Sequence, residues 1–176
     1  FLPATKAIPK EMLPIIDVPM IQHIVEEAVN SGIERVVLVT ARHKEAIENH
    51  FDHNYELEHT LLEKQKQALA DVSRRIASLC EVISIRQKNP RGLGHAVLCA
   101  EPVVGREPFA VLLGDDLIDS EVPCTRQLIE IAEQEAASCI AVMEVPQSEV
   151  QKYGIVAGKL LRERLWEVSE LVEKPS

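Results

Sequence analysis

The spacing of apolar residues switches repeatedly along the chain between a helical period and a strand-like one. Apolar residues at helical spacing predict helices at 20–30, 43–51, 54–79, 94–100 and 125–137. Short alternating or β-branched runs predict strands at 35–40, 81–87, 108–113, 138–145, 154–157 and 164–172. This alternation favours an α/β fold with a mostly parallel central sheet and helices on both faces.

Two segments depart from the alternation. The opening residues 1–19 contain four prolines that are too closely spaced for a long helix or a central strand, so we expect a loop with at most one short turn. The run at 54–79 is predicted as one long amphipathic helix, because its apolar residues fall on one face and its charges elsewhere. Such a helix packs on a neighbour along one side.

Composition and charge narrow the class of protein. The 176 residues are 46% hydrophobic and 27% charged, which is typical of a globular domain. Acidic residues outnumber basic ones by 28 to 19, and the net charge of −9 disfavours binding to nucleic acid. Apolar runs are far shorter than the roughly 20 residues of a membrane helix, so we expect no membrane span. Four widely spaced cysteines without a Cys-x-x-Cys pair indicate a reducing, cytoplasmic protein.

The residues that follow each predicted strand are the first candidates for a site, because ligands of parallel sheets bind beyond the carboxyl ends of the strands. Gly114-Asp115-Asp116 directly follows the run at 108–113. Two carboxylates at a strand end suit a magnesium ion that is held together with substrate phosphates. A turn capped by aspartate is an equally good interpretation, and the pattern alone leaves both open.

A second candidate follows the predicted strand at 81–87. Gly92-Leu93-Gly94-His95 stands between that strand and the next helix, where glycine allows the backbone to approach a ligand and helix amides can bind an anion. An ordinary loop would have the same composition. Gln87 strengthens the binding hypothesis, because its side-chain amide both donates and accepts and so suits the edge of a nucleobase.

Charged residues near the two ends of the sequence form a third set. Lys10 lies in the proline-rich opening, where a rigid loop would hold its ammonium group for a phosphate at low entropic cost. Glu173-Lys174 follows the last apolar strand and is stopped by a proline. Both could face a cleft, and both could be solvated surface residues.

Six segments of the sequence occur in an order that resembles a known family. They are FLPATKAIPKEMLP at 1–14, IENHFD at 47–52, GLGHAV at 92–97, LGDD at 113–116, YG at 153–154 and VEKP at 172–175. The set is similar to the sugar-nucleotide pyrophosphorylases, and closely so to the bacterial uridylyltransferases that act on UTP and glucose 1-phosphate. The resemblance covers essentially the whole chain, and its first and third segments are the specific ones.

The resemblance implies a Rossmann-like nucleotidyltransferase fold and a reaction. A uridylyl group would pass from UTP to glucose 1-phosphate, giving UDP-glucose and pyrophosphate, with Mg²⁺ as cofactor. Lys10 would contact the triphosphate and activate it. Gln87 would recognise the uracil, the backbone at Gly92 would lie close to the nucleoside, and Asp115 would bind the magnesium ion.

The sugar side of the site is implied in the same way. Gly154 and Glu173 would hold the glucose hydroxyls, and Lys174 would hold the sugar phosphate and act with Lys10 in catalysis. Residues 1–115 would form mainly the nucleotide-binding part, and residues 116–176 the start of the sugar-binding part.

The resemblance also implies that the chain is a fragment of one domain, 1–176. The family's glycine-rich phosphate loop and the first strand of the sheet would lie before Phe1, and a second magnesium-binding aspartate would lie beyond Pro175. We therefore expect a partial active site that is inactive alone, and a homo-oligomer for the full-length protein.

Three alternatives remain open at this point. A related pyrophosphorylase could use dTTP or another hexose 1-phosphate, because Gln87 can pair with thymine as with uracil. A subunit could bind a sugar nucleotide without catalysis. The protein could also be chiefly structural, with the run at 54–79 as an assembly surface.

Overall fold

The computed structural model describes residues 1–173. Within it the chain forms two compact units, Phe1–Cys139 and a second that begins at Ile140. The helices are α1 (Met20–Asn30), α2 (Glu45–Phe51), α3 (Tyr55–Glu63), α4 (Gln67–Ala77), α5 (Leu93–Cys99), α6 (Glu101–Val104) and α7 (Cys124–Glu135). The strands are β1 (Pro14–Ile15), β2 (Val18–Pro19), β3 (Arg35–Thr40), β4 (Glu81–Arg86), β5 (Gly154–Arg162) and β6 (Leu165–Glu173).

The core of the first unit lies between α1, α2 and β3. It is a cluster of five buried apolar side chains, Ile21, Val25, Leu38, Ile47 and Phe51. Burial of each contributes roughly 1.5–3 kcal/mol. The helix predicted from Met20 is confirmed, and it ends where Gly32 adopts φ +92°.

A parallel pair of strands sets the direction of the fold. β3 and β4 run side by side from Arg35 opposite Glu81 to Thr40 opposite Arg86. A parallel pair needs a crossover, which here contains α2, α3 and α4. The α/β class is thus confirmed, and both carboxyl ends point to the edge where ligands are expected.

The predicted strands at 108–113 and 138–145 are wrong for this structure. A strand is defined by hydrogen bonds to a neighbouring strand, and neither segment has such a partner among residues 1–173. Their apolar side chains are also largely exposed, with Phe109 at 59% and Val142 at 57%.

The single long helix predicted at 54–79 is also wrong, because the chain turns between α3 and α4. Gln65 adopts a left-handed conformation with φ +56°. Its N–H donates to Leu62 O at 2.9 Å, and the N–H of Lys66 donates to Leu61 O at 2.8 Å. These two bonds form a Schellman ending, which usually has glycine at the left-handed position. A glutamine there gives no sequence signal.

The proline-rich opening contains more structure than the one short turn that was expected. Ala4–Lys6 and Lys10–Met12 each form one turn of 3₁₀ helix, and β1 and β2 pair as a minimal antiparallel hairpin. Proline is tolerated in such a short pair, because its missing N–H need not face a neighbouring strand.

The second unit contains an antiparallel hairpin. β5 pairs with β6 from Gly154 opposite Glu173 to Arg162 opposite Leu165, so the first strand is longer than the predicted 154–157. A 3₁₀ helix, Gln147–Lys152, precedes it. None of the helices in residues 1–173 is both long enough and apolar enough to cross a membrane. The functional division after residue 115 stays a prediction.

Candidate functional site

Lys10 and Asp115 form an ion pair, although they are 105 positions apart in the sequence. The Lys10 Nζ donates to Asp115 Oδ2 at 2.5 Å, and the two side chains are 41% and 47% exposed. The hydrogen bond to Asp115 is the main reason that the pKa of Lys10 lies above its ordinary value of 10.5. The structure therefore joins two predicted site residues in one solvent-accessible group.

Gly114 allows the loop that carries Asp115 to approach the turn that carries Lys10. A Cβ built on Gly114 would lie 3.1 Å from Glu11 Cγ. The segment closes as a turn in which the Asp116 N–H donates to Leu113 O at 3.3 Å. A side chain at position 114 would therefore require the Glu11 side chain to shift by a few tenths of an ångström.

Gln87 and Gly92 also meet in the structure. The N–H of Gln87 donates to Thr40 O at 2.9 Å, so the residue extends the parallel pair by one position. Its side-chain Nε2 donates to Gly92 O at 3.2 Å. Gly92 has φ +96°, a conformation that favours glycine, and it directly precedes α5. The structure therefore brings the side-chain amide of Gln87 against the glycine loop, as the sequence led us to expect of their positions.

Sequence reasoning assigned no role to His95, although the residue belongs to a quoted motif. In the structure its Nδ1 lies 2.9 Å from Gln87 Nε2. His95 stands in the first turn of α5, so the helix start that presents Gly92 also presents this ring. The spacing of eight residues between Gln87 and His95 contained no periodic signal that could have revealed the contact.

Gly154 and Glu173 form a third pair, within the second unit. The two residues are register partners at one end of the β5–β6 hairpin. A Cβ on Gly154 would lie 3.3 Å from Glu173 Oε2, so the glycine leaves room for the carboxylate. Lys174, the remaining predicted site residue, lies outside the described residues.

Residues 1–173 contain no group of three or more His, Cys, Asp and Glu side chains arranged to hold a metal ion. Asp115 offers an accessible carboxylate next to Lys10, the lysine that the sequence predicts to bind phosphate. Its Oδ1 has no hydrogen-bond partner among the described residues. A hard cation that shares its ligands between one carboxylate and substrate phosphates fits this arrangement.

The sequence matches the nucleotidyl transferase family over residues 1–176. The chain belongs to that family. It is 51% identical over 175 residues to a UTP–glucose-1-phosphate uridylyltransferase of Bacillus subtilis strain 168, and the match covers 99% of the chain and 60% of the relative. It is 52% identical over 176 residues to the uridylyltransferase YngB of the same strain, covering 100% of the chain and 59% of YngB.

Solved structures agree with this assignment. An apo UDP-glucose pyrophosphorylase matches with a TM-score of 0.89 and 43% identity over 100% of the chain and 65% of that structure. A UTP-bound enzyme from Acinetobacter baumannii matches with a TM-score of 0.87 and 44% identity, covering 100% of the chain and 64% of the enzyme. The predicted Rossmann-like nucleotidyltransferase fold is thereby confirmed. The chain spans about 60% of the length of the curated relatives that it matches.

Proposed function

We propose that the protein carrying this chain transfers a uridylyl group from UTP to glucose 1-phosphate, forming UDP-glucose and pyrophosphate. The ion pair of Lys10 with Asp115 carries the proposal, because it places a cation and a magnesium-type ligand together at the solvent-accessible surface. Relatives at about half identity are named as uridylyltransferases, and a related pyrophosphorylase structure contains UDP-glucose.

The reaction requires the protein to compensate the negative charge of the phosphates rather than to form a covalent intermediate. A phosphate oxygen of glucose 1-phosphate forms a bond to the α-phosphorus of UTP, while the bond from that phosphorus to the bridging oxygen breaks. Pyrophosphate leaves with the electron pair of the broken bond. Catalysis of such transfers depends on position and electrostatics. The protonated Lys10 would hold the triphosphate and stabilise the charge that develops on it.

Other residues would hold the two substrates in place. Gln87 would accept a hydrogen bond from the uracil, with the backbone of Gly92 beside the nucleoside. Gly154 and Glu173 would contact the glucose hydroxyls, and Lys174 would bind the sugar phosphate. The hydrogen bond from Gln87 to Gly92 and the pairing of Gly154 with Glu173 in the hairpin support these assignments.

Asp115 would hold a magnesium ion through its carboxylate, together with oxygens of the triphosphate. Magnesium would neutralise phosphate charge in the transition state. Lys10 and Asp115 satisfy each other's charge while no nucleotide is bound, and triphosphate binding would give each a new partner. We place the protein in the cytoplasm, because all four of its cysteines are free thiols.

The first experiment measures pyrophosphate release by the full-length protein with glucose 1-phosphate, Mg²⁺ and either UTP or dTTP. The Lys10→Ala variant is expected to lose about a hundredfold or more in kcat, since one stabilising group of the transition state is removed. Lys64→Ala is the matched control, because Lys64 is exposed. Preference for dTTP would identify a thymidylyl-transferring relative. Absence of release with either nucleotide, from folded protein, would leave only a binding function.

A further inference from the structure

The side-chain amide of Gln87 has both of its N–H groups engaged within the protein. One donates to Gly92 O at 3.2 Å and the other points to His95 Nδ1 at 2.9 Å. A backbone carbonyl can only accept, so the bond to Gly92 identifies the donor end of the amide. The orientation of Gln87 is therefore determined by its neighbours.

His95 also fixes the orientation of the Gln87 amide, because its Nδ1 accepts a hydrogen bond from Gln87 Nε2. Because Gln87 Nε2 is a donor, the Nδ1 of His95 must carry the lone pair, and the neutral ring holds its proton on Nε2. The Cys99 Sγ, one turn further along α5, lies 3.9 Å from the same nitrogen and is also a weak donor. Nδ1 thus faces two donors, as the acceptor nitrogen of this tautomer does.

The remaining atom of the amide is the carbonyl oxygen. Gln87 Oε1 has no hydrogen-bond partner among residues 1–173. Gln87 is only partly buried, so a ligand can reach this oxygen. The protein consequently presents a fixed acceptor beside the glycine loop, and a rotated amide would lose both bonds to Gly92 and His95.

We propose that His95 is a positioning residue that selects the pyrimidine by locking Gln87 with its carbonyl oxygen outward. This inference rests on the proposed function, in which Gln87 faces the base. Where N3 of the base faces Oε1, uracil and thymine donate their N3 hydrogen to it, whereas cytosine has a lone pair at N3 that the same oxygen repels. His95 therefore favours UTP and dTTP over CTP without touching any of them.

The variants separate this positioning role from a structural one. His95→Leu removes the acceptor, which frees the Gln87 amide to rotate, and is expected to reduce the UTP over CTP binding ratio of the full-length protein about 10- to 100-fold. His95→Asn keeps a short side-chain acceptor and is expected to restore most of the ratio. Leu98→Ala, at an exposed residue of the same helix, is the matched control and should leave the ratio unchanged.

Binding is measured by calorimetry with UTP and CTP, and turnover by pyrophosphate release. The expected pattern in His95→Leu is a raised KM for UTP with little change in kcat at saturation, since the orientation of Gln87 affects base binding. An equal loss of affinity for UTP and CTP in a folded variant, with their affinity ratio retained, would overturn the role of His95. Failure of the wild-type protein to bind UTP would instead overturn the proposed function itself.

A measurement on the wild-type protein covers the case in which His95→Leu does not fold. Nitrogen-15 chemical shifts of the imidazole distinguish the two neutral tautomers. The proton is expected on Nε2, with Nδ1 unprotonated. A proton on Nδ1 would contradict the proposal, because that nitrogen could not then accept from Gln87.

Discussion

Glu11 and Lys44 are joined by a hydrogen bond of 2.6 Å between Oε1 and Nζ, across 33 positions of sequence. Glu11 is only 8% exposed, and its second oxygen, Oε2, is buried and has no hydrogen-bond partner among residues 1–173. Glu11 directly follows Lys10 in the sequence. Its Cγ would lie 3.1 Å from a Cβ built on Gly114. The pair thus ties the turn that carries Lys10 to the start of α2.

Replacement of Lys44 by methionine is expected to lower the free energy of unfolding by about 1–3 kcal/mol, because it leaves a buried carboxylate without its cation. The Lys44 side chain is 33% exposed, which places the effect below that of a fully buried pair. Urea denaturation of the full-length protein measures it. Lys64→Met, at an exposed lysine, is the control. Equal midpoints for the two variants would show that the pair contributes nothing.

Glu58 on α3 is bonded to Arg74 on α4 and lies close to His53. Its Oε2 accepts from Arg74 Nε at 2.9 Å, and its Oε1 lies 3.3 Å from His53 Nδ1. The hydrogen bond from Arg74 is the main reason that the pKa of Glu58 lies below its ordinary value of 4.5. The folded protein therefore binds the proton less readily than the unfolded chain does.

The sign of the pH effect follows from this lowered pKa. The stabilisation by Glu58 is complete above its ordinary pKa of 4.5 and is lost as the pH falls through the lower, folded-state value. Glu58→Gln is expected to flatten that part of the acid dependence, as measured by thermal melts in a pH series. Glu56→Gln, an exposed neighbour on α3, should retain the wild-type slope. Identical slopes for wild type and Glu58→Gln would refute the contribution.

Gly158 lies at an irregularity of the β5–β6 hairpin. The register shifts between Ala157 and Gly158, and a Cβ on Gly158 would lie 2.3 Å from the carbonyl oxygen of Glu167. Because that oxygen belongs to the backbone, the clash can be relieved only by moving a strand. Glycine is thus required here for close approach rather than for an unusual φ angle.

Gly158→Ala is expected to destabilise the hairpin by at least about 2 kcal/mol, because overpacking against backbone forces a shift of the strands. Amide hydrogen exchange in β5 and β6 measures the effect locally. Gly94→Ala provides the matched control, since a Cβ there meets nothing within 4 Å. Unchanged exchange rates in the hairpin of Gly158→Ala would contradict the close approach.

Local patterns in the sequence were sufficient to predict most of the helices and strands. The apolar spacing from Met20 predicted α1, and the runs at 35–40 and 81–87 predicted β3 and β4, because an amphipathic period depends only on residues within a few positions. The same patterns failed at Gln65, where a left-handed residue without glycine ends α3. They failed again at 108–113, where an apolar run has no neighbouring strand among the described residues.

The sequence predicted which residue types belong to the candidate site. Only the tertiary structure showed how these residues are arranged relative to one another. Sequence motifs predicted Lys10, Asp115 and Gln87 as site residues one by one, since the chemistry of each side chain is local. Their partners are separated in sequence by distances without any period: 105 positions for Lys10 with Asp115, and 8 for Gln87 with His95. Such contacts depend on how the whole chain closes, so the outward carbonyl of Gln87 and the buried carboxylate of Glu11 could be found only in the folded protein.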